Sequence, residues 1–195
     1  LDRIQNGGVL PMFTSCSPAW VNYVEVHRPD LIPHLSTCKS PQQMLGAVVK
    51  TFLAGRLGVD PDRIFSVAIM PCTAKKFEIT RPEMFIDGRP TVDAVLTTRE
   101  LARMIKEAGI DFHSLEGSGF DEPLGLSTGA ADIFGATGGV MEAALRTVYE
   151  VVTGREIPFP QLDVTPVRGL SSVKEASLTL EDVKPEFREL EGFTV

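Results

Sequence analysis

Phe65-Ser66-Val67-Ala68-Ile69-Met70 is a short, almost wholly apolar run that stops at Pro71. Such a run is too short for a core helix and suits a strand buried on both faces, as in a parallel sheet. Proline has no amide to give to a ladder, so the strand ends there. Cys72-Thr73-Ala74-Lys75-Lys76-Phe77-Glu78 follows. A thiol, an amine and a carboxyl therefore sit just past the carboxyl end of a strand, where open α/β sheets bind their ligands. If the chain turns helical after Pro71, Cys72, Lys75 and Glu78 recur every third residue and share one face. A neighbouring ammonium favours the thiolate, the form that binds metal or attacks an electrophile. Glu78 would hold the lysine in place. Against this stands the plainer reading, a buried structural cysteine beside an ordinary ion pair.

Chain-wide properties narrow the chemistry. The 195 residues carry a net charge of -7 without a basic block, which argues against nucleic acid as a partner. No apolar run reaches membrane-spanning length, and no signal peptide is visible. Cys16, Cys38 and Cys72 are odd in number and far apart, so a disulfide framework is not expected, and a reducing, cytoplasmic setting is. His27, His34 and His113 show no ligand spacing for zinc. No G-x-S-x-G elbow of a serine hydrolase occurs. With 43% apolar residues, the chain can build one real core. Both ends look cut: Leu1 to Gln5 reads as the tail of a helix, and Gly192 to Val195 as the start of a strand.

Periodicity fills in an α/β order. Val9 to Thr14 reads as a strand, and Thr14 to Trp20 as a polar turn into a helix with Ser17 as cap and Pro18 as first residue. Cys16 thus lies at a second strand-to-helix junction, near amides that favour a thiolate. Ser40, Pro41 and Gln43 form a capping-box start, after which Met44, Leu45, Val48, Val49, Phe52 and Leu53 repeat at core spacing up to Gly58. Glu78 to Pro90 reads as a polar loop containing Asp87-Gly88, and Val92 to Leu96 as a strand. Thr97 with Glu100 caps a helix that buries Leu101, Met104 and Ile105. A glycine-rich loop spans Gly117 to Gly129. Gly135 to Gly139 opens a helix ending at Gly154; these glycines fit close backbone packing better than an anion cradle. Val164 to Leu170 and Ala176 to Leu180 read as short peripheral strands. The fold expected is α/β, mostly parallel sheets flanked by helices, with a small peripheral β-rich C-terminal segment. Residues 1–156 would form part of one catalytic domain, and 157–195 its peripheral, truncated continuation.

Four segments taken together, TSCSPAW (Thr14 to Trp20), LSTCKSPQQM (Leu35 to Met44), MPCTAKKFE (Met70 to Glu78) and FGATGGVMEAALR (Phe134 to Arg146), resemble the catalytic domain of iron-only (FeFe) hydrogenases, in the family's order and over essentially the whole chain. The tone is closest to catalytic subunits of NAD(P)-linked, multimeric enzymes. The resemblance implies reversible reduction of protons to hydrogen at a 4Fe-4S cluster. That cluster is joined through a cysteine sulfur to a diiron unit with carbon monoxide, cyanide and an azadithiolate bridge. It implies Cys72 as a cluster ligand, Lys75 as donor to a cyanide, and Glu78 as the acid that steadies this region. Cys16 corresponds to the thiol that passes protons, Ser36 to a hydroxyl further along that path, and Arg3 to an arginine beside it. Ser40 and Gln42 correspond to polar groups around a cyanide. Met70, Pro71 and Phe134 belong to the pocket, with Met70 and Phe134 as apolar walls. Electron-carrying iron-sulfur domains or subunits, ferredoxin- or NAD(P)-linked, are the implied partners.

The chain departs from the family pattern in three places. The family's first signature carries two adjacent cysteines, the second a cluster ligand; here that position is Ser17, a harder ligand for iron. The signature that supplies the other cluster cysteines is absent, and the acids of the proton path would precede Leu1. A non-catalytic iron-sulfur relative, sensory or for cluster assembly, is therefore the competing reading. An anion- or nucleotide-binding module built on Gly135 to Gly139 is a third, but it leaves Cys16, Cys72 and Lys75 unassigned.

Overall fold

The computed structural model describes residues 1–125, 129–136, 138–157, 165–167, 170–175 and 177–195. The helices are α1 (Asp2–Gln5), α2 (Pro18–His27), α3 (Pro41–Val48), α4 (Ala54–Leu57), α5 (Ala74–Glu78), α6 (Thr98–Glu107), α7 (Ala130–Phe134) and α8 (Gly139–Thr153). The strands are β1 (Val67–Ile69), β2 (Phe85–Ile86), β3 (Arg89–Pro90), β4 (Ala94–Leu96), β5 (Thr165–Val167) and β6 (Leu170–Glu175). The chain divides into two compact units, Val9–Pro123 and Leu1–Gly8 with Leu124–Val195.

In the Val9–Pro123 unit, β1 and β4 pair in parallel, with Val67 opposite Ala94 and Ile69 opposite Leu96. Each strand runs out into a helix, α5 after β1 and α6 after β4, which is the α/β arrangement expected. Thr97 and Glu100 form a complete capping box at α6. Lys76 reaches Glu100 at 2.6 Å, and that contact, with the Thr97 amide, lowers the Glu100 carboxyl to about 2. Gly58, at φ 62°, ends α4 as expected.

Several expectations fail here, for related reasons. β1 is not buried: Val67 and Ile69 are 47% and 43% exposed, because β1 is an edge strand with β4 alone beside it among the described residues. Met44, Leu45, Val48 and Phe52 are exposed rather than core, and of that apolar stripe Leu53 is buried. The inward face of this helix is instead Gln42, Gln43, Gly46 and Lys50. Lys50 pairs with Asp93 at 2.8 Å, and the two glutamines face Glu78. Leaving a buried charge without its partner costs about 3–5 kcal/mol. The side that serves Glu78 and Asp93 therefore turns inward. Nor does α6 bury Leu101, Met104 or Ile105 fully; Met104 is 56% exposed. Val9 to Thr14 forms no strand; Phe13 makes a single parallel bridge to Leu35. The expected loop at Asp87-Gly88 is the turn of the β2–β3 hairpin. Both residues take positive φ, 51° and 77°, as a tight hairpin turn requires.

In the other unit, Leu145, Tyr149 and Val152 of α8 form a core with Leu178, Leu180 and Leu190, and Leu1 and Ile4 pack against it. A Cβ on Gly139 would lie 1.7 Å from the Ile133 carbonyl oxygen, so close packing accounts for glycine there. β5 and β6 pair antiparallel. Of the expected peripheral strands, Val164, Arg168, Gly169 and Ala176 lie outside the described residues. Thr179 bridges to Thr194.

Helix α3 approaches the 91–92 backbone so closely that a Cβ on Gly46 would meet the Thr91 carbonyl at 2.5 Å. Gly46→Ala is expected to lower unfolding free energy by about 1–3 kcal/mol in urea titration. Gly55, a helical glycine with open space around its Cα, is expected to gain up to about 1 kcal/mol on substitution by alanine.

Candidate functional site

The site is built around a carboxylate. Glu78, the last residue of α5, is 2% exposed. Its Oε2 accepts from Ser40 Oγ at 3.0 Å and from the side-chain amides of Gln42 and Gln43 at 3.4 Å each. Lys75 Nζ lies 3.3 Å from both Glu78 oxygens and donates to the Cys16 carbonyl at 2.8 Å. Its three N–H donors thus face three acceptors, the Cys16 carbonyl and the two Glu78 oxygens, with the carbonyl the nearest. Lys75 is itself 6% exposed. A cation so placed is tied to one position by its counter-charge and by a carbonyl from a distant stretch of chain.

Local sequence explains how these groups meet. β1 ends at Ile69 and α5 begins at Ala74, so Cys72 lies outside the helix rather than on its face, while Lys75 and Glu78 stand about one helical turn apart on the inward side. Cys72 precedes α5 and is half-buried. Ser40 caps α3 by accepting from the Gln43 amide at 3.4 Å, and the same hydroxyl donates to Glu78. Pro18 opens α2, which packs against α5 and so brings the Cys16 carbonyl to Lys75. Ser17 holds the N-cap position, but its side chain makes no capping bond and is exposed, contrary to the cap expected of it.

A cavity of about 340 Å³ adjoins this cluster, with Ser15, Ser36, Cys38, Ser40, Glu78 and Arg81 in its wall. Ser36 Oγ accepts from the Cys38 amide at 3.2 Å, and the Cys38 carbonyl accepts from Ser15 Oγ at 2.8 Å. The structure thus gathers Cys16, Ser36, Ser40, Gln42, Lys75 and Glu78 in one region. Met70 is half-buried at the end of β1, and Pro71 is exposed. Phe134, 40% exposed, and Arg3 belong to the other unit. Among the described residues, the buried atoms Gln42 Oε1 and Ser66 Oγ lack partners.

Three further residues bear on the site. Gln43 and Thr91 are buried behind Glu78. Arg81 clamps α2 to the chain beyond α5: it pairs with Glu25 at 2.9 and 2.5 Å and with Glu83 at 2.5 Å. The guanidinium holds the Glu25 carboxyl below its ordinary value, and the two glutamates raise Arg81 in turn. Gln43 had a visible signal, a glutamine at the third helical position. Thr91 and Arg81 had none beyond residue type.

The family model described as the iron only hydrogenase large subunit, C-terminal domain, matches residues 1–194. The chain belongs to that family. It is 51% identical over 173 residues to the NADP-reducing hydrogenase subunit HndD of Solidesulfovibrio fructosivorans, covering 89% of this chain and 29% of the relative. To the periplasmic Fe hydrogenase large subunit of Nitratidesulfovibrio vulgaris it is 54% identical over 177 residues, covering 90% and 42%. A variant of an apo FeFe-hydrogenase from Chlamydomonas reinhardtii superposes with a TM-score of 0.79 at 44% identity, over 97% of this chain and 47% of that one. The chain therefore spans less than half the length of these relatives. No described helix is long and apolar enough to cross a membrane.

The clamp has a pH signature. Because the folded Glu25 pKa is depressed, its stabilisation is present above the ordinary carboxylate value, about 4.3, and is lost as pH falls through the depressed value. The stability gap between wild type and Glu25→Gln is therefore expected to be full near neutrality and to close in acid. A gap that persists unchanged in acid would show that the ion pair is not its source.

Proposed function

We propose that the full-length protein is an FeFe hydrogenase catalysing reversible reduction of protons to hydrogen, with this chain supplying part of its active site. The observation that carries the reading is the buried Lys75–Glu78 pair, set in the family's second signature beside Cys72, with the ammonium held at the Cys16 carbonyl. The buried Lys75 ammonium supplies positive charge for an anionic ligand in this region, and the unpartnered Gln42 Oε1 could accept from a donor group of that ligand. The donor set fits the family's cofactor in part, through the Cys72 thiol and the Ser17 hydroxyl. When bound, the 4Fe-4S cluster and its diiron unit with carbon monoxide, cyanide and azadithiolate supply the redox and proton-reducing chemistry.

Cys72 would hold the 4Fe-4S cluster through its sulfur. Ser17 Oγ, exposed and free of capping duty, stands where the family places a second ligand. Lys75 would donate to a cyanide, a charge-assisted hydrogen bond strengthened by burial. Glu78 orients Lys75. Ser40 and Gln42 would present polar groups to the same ligand, and Met70 and Pro71 would line its pocket. Cys16 would carry a proton on Sγ, and Ser36 would pass one through its Oγ, which borders the cavity. Electron-carrying iron-sulfur domains or subunits complete the chain of transfer. The similarity to an NADP-reducing hydrogenase subunit supports an NADP-linked partner. A cytoplasmic setting rests on the three free cysteines. Residues 1–156 belong, in this reading, to the catalytic domain, with 157–195 its peripheral continuation.

Anaerobically matured full-length protein is expected to evolve hydrogen and to show carbonyl and cyanide bands in the infrared. Lys75→Ala is expected to lose hydrogen evolution by roughly 100-fold or more, the scale of removing one placed donor. Ser17→Cys is expected to raise iron bound per polypeptide. The exposed serine in place of a thiol is also what favours the second reading, a non-catalytic iron-sulfur protein. A 4Fe-4S cluster without infrared bands or hydrogen would establish that reading, and absence of any iron would reject both.

A further inference from the structure

Gln43 sits at the third position of α3, where a capping-box side chain turns back to the N-cap amide. Its own side chain goes elsewhere. It is 0% exposed, its Nε2 lies 3.4 Å from Glu78 Oε2, and its Oε1 meets the hydroxyl of Thr91, which is 1% exposed. Thr91 is fixed from two sides. Its amide donates to the Met84 carbonyl at 3.2 Å, and Gly46 of α3 presses against its backbone. The hydroxyl also lies 2.9 Å from that Met84 carbonyl, which is satisfied by the Thr91 amide without it, whereas the buried Gln43 Oε1 has no other partner among the described residues and would be left bare.

An amide has one acceptor end and one donor end. A hydroxyl proton on Oε1 therefore leaves the NH2 end as the one presented to Glu78. The other donors to Glu78 Oε2 are less constrained. The Gln42 amide is unanchored at its oxygen, and the Ser40 hydroxyl also serves as a cap. We propose that Gln43, with its amide oriented by Thr91, is a positioning residue that aims Glu78 at Lys75 and so holds the ammonium at the Cys16 carbonyl. The relay runs from Thr91 through Gln43 to Glu78 and Lys75, and none of the first three touches a reacting atom. Its meaning for catalysis rests on the function proposed above; its test does not.

The test is lysine acylation of cofactor-free full-length protein, read residue by residue by mass spectrometry. Lys50, buried in its own ion pair with Asp93 in the same unit, is the internal control. Gln43→Leu and Thr91→Val are expected to raise labelling of Lys75 by about fivefold or more, the local loosening expected from losing roughly one buried hydrogen bond. Lys50 labelling should change by less than about twofold, and Thr91→Ser, which keeps the hydroxyl, should behave as wild type. If Gln43→Leu does not fold, the near-isosteric Thr91→Val carries the test. Unchanged Lys75 labelling in the folded variants would overturn the proposal. So would Lys50 rising in step with Lys75, because that is general destabilisation. Because no cofactor is present, a negative result here is distinguishable from an absence of hydrogen chemistry.

Discussion

A carboxylate removed from water must be answered by donors, and in this chain that requirement falls on Glu78. Stripping a buried charge of its partners costs several kcal/mol, more than most single apolar contacts return. Ser40, Gln42, Gln43 and Lys75 all answer it, from two helices that the sequence separates by about thirty residues. The polar cluster acts as a small core of its own, one in which direction matters as well as burial.

Much of the surrounding architecture follows from that demand. Helix α3 and the Val49–Leu53 turn that continues it put Gln42, Gln43 and Lys50 inward, and their apolar stripe is left half in solvent. Glycine at position 46 lets the helix come close enough for Gln43 to reach both Thr91 and Glu78. Lys75, fixed by the carboxylate, joins the segment after Cys16 to the segment after Cys72, while Arg81 ties α2 to the same region from outside. Two strand- and turn-to-helix junctions are thus locked by charge rather than by hydrophobic packing. That is a stiff way to hold a cation and two thiol-bearing segments in register.

The second signature was legible because helical spacing is a local property. Proline after an apolar run, then lysine and glutamate three apart, specify a strand, a turn and one inward face. The α6 capping box and the glycine that ends α4 were legible for the same reason. What escaped depended on partners remote in the chain. Met44, Leu45 and Phe52 repeat as a core helix would, yet nothing local reveals that Gln42, Gln43 and Lys50 have buried carboxylates to serve. Ser40 caps α3 as its spacing implies, but the Gln43 side chain, at capping-box spacing, serves Glu78 instead. Asp87-Gly88 carried the turn chemistry of a hairpin but was flanked by strands too short to show a period. Arg81 looks like any surface arginine until Glu25, 56 positions away, is seen beside it.

Everything here depends on the Lys75 ammonium being pinned between Glu78 and the Cys16 carbonyl. A high-resolution crystal structure of the matured full-length protein tests it most directly. Lys75 Nζ is expected near 2.8 Å from the Cys16 oxygen, still paired with Glu78 and facing the bound cofactor. A lysine swung out to solvent, with Glu78 bonded to other partners, would contradict it.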